Sequence, residues 1–113
     1  MKLFSTAKSE MIDAFAKELA EQIASKYPPE FDQELKRPIT EKRLARILED
    51  AFSMAKAFNE KHKLGVYKKA RLGNSFRWEL TQLGYSDAFI EVATEGIIVF
   101  LTRSSIGESE KRA

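Results

Sequence analysis

The sequence predicts an all-α fold, a single compact bundle of four principal helices, and three observations point there. Apolar residues recur at i, i+3, i+4 and i+7 along most of the chain. No segment alternates with the period of two that a strand needs. The breaks between periodic segments fall at Tyr27-Pro28-Pro29, Gly65 and Gly84-Tyr85, which leaves stretches of helical length between them.

The first helix is expected near 6–26, where Met11, Ile12, Phe15, Leu19 and Ile23 share one face, with Phe4 ahead of them. Pro28 and Pro29 stop it, because proline cannot donate to the helical ladder and disfavours the α region for the residue before it. Glu30 to Pro38 reads as a loop that holds at most one helical turn around Phe31 to Leu35. Thr40 is then a good N-cap for a helix over 41–64, with Glu41 where the dipole favours an anion. Leu44, Ile47, Leu48, Ala51, Met54, Ala55, Phe58 and His62 make its apolar face, about 35 Å long. Gly65 is suited to the left-handed position that ends it.

The third helix is expected over 66–83, with Val66, Ala70, Leu72, Phe76, Leu80 and Leu83 toward the core. Gly73-Asn74-Ser75 leaves a kink or a split open, and the isolated glycines 65, 73 and 84 read as helix punctuation. Ser86 caps a fourth helix over 87–103. Ala88 to Leu101 is the most apolar stretch of the chain, and its apolar side chains sweep an arc of about 220° on a helical wheel. This helix is therefore expected to be the most buried. Its apolar excess also suggests a homodimer through Ile97, Ile98, Phe100 and Leu101. The rival for Ile97 to Thr102 is a short β-strand paired with a second copy. The domain is expected to close at Arg103, with 104–113 a disordered tail.

Composition narrows the function. The 113 residues are 43% hydrophobic and 32% charged, as in a globular domain rather than a disordered chain. With no cysteine there is no disulfide framework, thiol nucleophile or thiolate zinc site. Neither an apolar leader nor a segment long enough to cross a membrane is present, so a cytoplasmic location is expected.

Catalytic constellations are missing. The single histidine, His62, sits in an apolar stripe at a helix end, where packing or capping explains it better than catalysis. There is no Glu-x-x-His pair for a carboxylate-bridged metal centre, and Glu91 and Glu95 read as a solvated helix edge. No glycine-rich phosphate loop occurs. No catalytic residue, metal site or cofactor is assigned.

Charge is distributed unevenly. Residues 1–35 and 79–113 each carry a net −3, whereas 36–78 carries +8. Within the basic middle, Lys61 to Trp78 holds Lys61, Lys63, Lys68, Lys69, Arg71 and Arg77 without one acid. On a continuous helix Tyr67, Arg71, Asn74 and Trp78 fall within about 60° of one another, opposite the expected core stripe. Aromatics with Arg and Asn on an outward face serve both protein interfaces and single-strand stacking platforms. Taken alone, Trp78 packs under the first helix more readily than it stands outside, since a bundle helix buries two faces.

Leu80 to Ala93 has the apolar skeleton of a helix-turn-helix. The helix that would enter the groove, however, begins with Asp87-Ala88-Phe89-Ile90-Glu91, the wrong charge for a phosphate-lined cleft. The leading expectation is a non-catalytic module, a small adaptor, inhibitor or regulator, that meets an acidic protein partner through Lys61, Lys63, Tyr67, Lys68, Lys69, Arg71, Asn74, Arg77 and Trp78. The alternative is weak, sequence-tolerant nucleic-acid binding through the same residues.

Overall fold

A computed structural model describes the backbone of residues 2–34 and 41–112 and the side chains of residues 9–32 and 42–103. It is all-α. Four long helices, α1 (Lys2–Lys26), α3 (Glu41–His62), α4 (Val66–Leu83) and α5 (Asp87–Arg112), are accompanied by a short α2 (Pro29–Glu34). No strand occurs among the described residues, and Ile97 to Thr102 is helical. The expected cap Thr40 lies outside the described residues, as do the side chains of Phe4 and of 104–113. The α5 backbone continues past the boundary expected at Arg103.

Side-chain contacts fix the directions of the helices. Lys26 bonds Asp50, and Phe15 stacks on Phe58 at 4.0 Å, so α1 and α3 run in opposite senses. Asp13 meets Arg71 while Tyr27 meets Tyr85, so α1 and α4 run together. Gly73 of α4 abuts Ile98 of α5, and Gly96 of α5 abuts Phe52 of α3. Each long helix packs on two others in the cyclic order α1, α4, α5, α3. Ile12, Leu19, Ile23, Leu72, Phe76, Leu80, Ile97 and Leu101 are fully buried between them.

Gly73, expected to be punctuation, needs another account, and so does Gly96 within α5. Helix α4 is unbroken through Gly73, and a Cβ there would stand 2.7 Å from Ile98 Cδ1. A Cβ on Gly96 would stand 2.6 Å from Phe52 Cζ and 2.9 Å from Cε2. The missing side chains leave room for a neighbouring helix. We expect Gly96→Ala to destabilise by about 1 kcal/mol, because overpacking costs roughly 1–3 kcal/mol against a helix-propensity gain near 1. In a Phe52→Leu background the same substitution should be neutral or favourable. Denaturation midpoints of the four proteins decide this.

The end of α3 also differs from expectation. The left-handed residue is Lys63, at φ 53°, whereas Gly65 is extended and caps α4. The Lys63 N–H donates to the Asn59 carbonyl, and buried Asn59 accepts the Leu64 N–H on its side chain at 3.2 Å. The turn closes before the glycine arrives because Leu64 must bury its side chain beneath it. A lysine with positive φ carries a steric cost, so Lys63→Gly should raise stability by about 1 kcal/mol, read as a higher denaturation midpoint. Gly84 does take the left-handed position, at φ 98°, and ends α4 as expected.

A tyrosine cluster locks the turn between α1 and α2 to the start of α5. Tyr85 donates its hydroxyl to the Tyr27 carbonyl, and the Tyr85 and Phe89 rings lie 4.5 Å apart. Burial first, and then the Asp32 carboxylate, push the Tyr27 phenol up to about 12 and raise Tyr85 as well. Both folded values exceed the unfolded one. The neutral phenols therefore contribute stability in full below pH 10, and it is lost as pH rises through about 12. Alkaline unfolding followed by circular dichroism should coincide with phenolate absorbance from this pair, and Tyr27→Phe should move the transition upward. Complete phenolate formation in a still helical protein would contradict the assignment.

Candidate functional site

Helix α4 presents its core through Leu72, Gly73, Phe76 and Leu80, all buried. The opposite side faces outward. Tyr67 is 79% exposed and Trp78 61%, with Asn74 exposed between them. The expectation that Trp78 packs under α1 is thus corrected. Two faces of α4 are indeed covered, by α1 and by α5, but Trp78 lies on neither.

The expected core stripe needs correction at both ends. Val66 is 87% exposed, Ala70 is exposed and Leu83 is 37% exposed. Val66 and Leu83 are the first and last residues of α4, and Ala70 lies about 120° around the helix from Phe76.

Tyr67 and Trp78 stand at opposite ends of a shallow depression of about 480 Å³. Its lining is Ala70, Arg71, Asn74, Ser75 and Glu79 from α4, and Asp13 from α1. Arg71 is held side-on by Asp13, with Nε donating to Oδ1 at 3.2 Å and Nη2 to Oδ2 at 2.8 Å. The Ser75 hydroxyl donates to the same Oδ1 at 2.6 Å. Those bonds hold the Asp13 carboxyl below the usual carboxylate range, the Arg71 hydrogen bond contributing most and burial opposing it. Asp13 in turn raises Arg71 further above its ordinary value.

None of the other basic residues of the Lys61 to Trp78 segment lines the depression. Lys61, Lys63 and Arg77 are exposed, and Lys68 and Lys69 are half-buried. Among the described residues Lys61, Lys63, Lys68 and Arg77 form no ion pair. The structure brings Tyr67, Arg71, Asn74 and Trp78 together as the helical spacing requires. It also introduces Asp13 and Glu79, which the acid-free run from Lys61 to Trp78 gave no reason to expect. Asp13 is separated from Arg71 by 58 positions, so only packing of α1 on α4 reveals the pair.

The side chains expected to meet a second copy are engaged within the chain. Ile97 and Leu101 have no exposed surface. Ile98 lies against Gly73, and the Phe100 ring stands 5.9 Å from that of Phe52. Among the described residues of α5 the large apolar side chains left exposed are Val92, at 57%, and Val99, at 48%. His62 packs its ring 4.5 Å from that of Phe58. No described helix is long and apolar enough to cross a membrane.

No protein-family model, curated protein or solved structure matches the chain.

Proposed function

We propose that the protein is a non-catalytic binding module, a four-helix bundle of the cytoplasm with its last helix the most enclosed, that engages an acidic protein surface through the outward face of α4. The observation that carries this reading is the joint exposure of Tyr67 and Trp78 on either side of one depression. Large aromatics left in water at the centre of a polar face are the side chains that hold protein interfaces together. Lys61, Lys63, Lys68 and Arg77 belong to the same segment and have no ion pair among the described residues, and so are available to steer an anionic partner into contact.

Weak nucleic-acid binding is the second reading, favoured by the same aromatics and cations. Against it, Asp13 and Glu79 line the depression and repel a continuous phosphate backbone. The test is a titration with a peptide that alternates glutamate with leucine and, separately, an oligothymidylate, following Trp78 emission at several salt concentrations. The reading predicts saturable peptide binding that is lost when Lys68 and Arg77 are changed to glutamate. Binding of the oligonucleotide alone, linear in log salt, would replace it with the second reading. Silence with both probes would contradict both.

A further inference from the structure

Among the described residues Arg71 is the one cation that lines the depression, and its geometry is specific. The side-on pairing with Asp13 uses hydrogens on Nε and Nη2. Both Nη1 hydrogens and the second Nη2 hydrogen are not used by Asp13, and one from each nitrogen makes the end-on fork that matches a carboxylate bidentately. The Arg71 side chain is 39% exposed, so this end remains accessible to solvent. Asp13 is itself fixed by Ser75, which makes the guanidinium a clamped donor rather than a flexible one.

We infer that Arg71 is a recognition site for a single aspartate or glutamate carboxylate of the acidic partner, received end-on while apolar side chains beside it pack on Tyr67 and Trp78. This rests on the proposed function and assigns its specificity. Lys61, Lys63, Lys68 and Arg77 attract any anion. Arg71 selects, because its planar fork requires a carboxylate in one orientation and because Asp13 and Glu79, in the same lining, disfavour a second negative group beside it. Asp13 is a positioning residue. It holds the plane of the guanidinium without touching the partner.

The occupant follows from complementarity. A dense polyanion would bring its next charges against Glu79 and Asp13. A protein segment that alternates carboxylates with leucine or valine would place one charge on Arg71 and its apolar neighbours on the rings. Tyr67 and Trp78 are separated by three helical turns, about 16 Å along the α4 axis, which is enough for such a segment to lie between them.

The experiment is a titration of the intact protein, followed by Trp78 emission, with a short peptide of glutamate and leucine in which each glutamate is replaced in turn by glutamine. The inference predicts that one Glu→Gln position dominates, weakening binding about tenfold or more, while the others have small and similar effects. Arg71→Lys, which keeps the charge and loses the fork, should weaken the parent peptide to the same degree and abolish the difference between the dominant Glu and Gln peptides. Asp13→Asn should give an intermediate loss. Equal contributions from every glutamate, or an Arg71→Lys protein that binds the parent peptide as tightly as the wild type, would overturn the inference and leave the proposed function standing. Failure of the parent peptide and of every glutamine peptide alike would overturn the proposed function itself. The glutamine peptides alter nothing in the protein, so this outcome does not depend on any variant folding.

Discussion

Replacing Asp32 by alanine should destabilise the protein by about 2–3 kcal/mol, a large effect for a half-buried side chain on a six-residue helix. Asp32 accepts the Tyr27 hydroxyl at 3.0 Å through one oxygen and the Ser86 N–H at 2.7 Å through the other. Ser86 in turn caps α5, its Oγ accepting the Phe89 N–H at 3.2 Å. One carboxylate thus joins the end of α1 to the start of α5, where the helix dipole also favours its charge. Both hydrogen bonds have a charged acceptor, the stronger class, and each donor is left without its protein partner when the carboxylate is removed. Asp32→Asn should recover part of the loss, since an amide oxygen can still accept one bond. Denaturant unfolding measures the difference. A change below about 0.5 kcal/mol would mean that α2 makes no contribution to holding the turn.

Trp78→Ala should do the reverse, leaving stability within about 0.5 kcal/mol while weakening partner binding about thirtyfold or more, equivalent to roughly 2 kcal/mol. Trp78 is 61% exposed, so folding removes the smaller part of its surface from water. At an interface the same ring would be enclosed, and truncating it would forfeit that burial. Tyr67→Ala should behave in the same way, with a smaller loss. Calorimetric titration with the acidic peptide, alongside a thermal melt of each variant, separates the two effects. Loss of stability without loss of affinity would reassign Trp78 to the packing of the fold.

Much of the architecture was legible because it depends on local pattern. The apolar face of α3, the stop at Pro28 and Pro29, the left-handed Gly84 and the Ser86 cap all follow from residues within a turn or two of one another. What was not legible depends on a neighbour brought from elsewhere in the chain. Gly73 looks like a break, and Gly96 carries no local sign of a role, until Ile98 and Phe52 are seen packed over them. Lys63 takes the left-handed turn because Leu64 is drawn beneath it, a tertiary demand that overrides the preference for glycine.

The site divides along the same line. Helical spacing places Tyr67, Arg71, Asn74 and Trp78 on one face, and they are found there. Which face of α4 is covered depends on where α1 and α5 lie, so the exposure of Trp78 could not be read from its own segment. Asp13 carries no local sign of its role either, since its i,i+4 neighbour Lys17 offered a simpler partner. In the fold it turns to Arg71 and Ser75 instead.

The central claim is that Trp78, the only tryptophan, stands in water on the outward face of α4. Its fluorescence in the free protein tests this most directly, recorded with and without an ionic quencher over a range of protein concentrations. The account predicts a red-shifted emission, readily quenched, that moves to the blue and becomes protected when the acidic peptide is added. A blue-shifted, protected emission from the free protein at every concentration would contradict it, because the ring would then already be enclosed and unavailable to a partner.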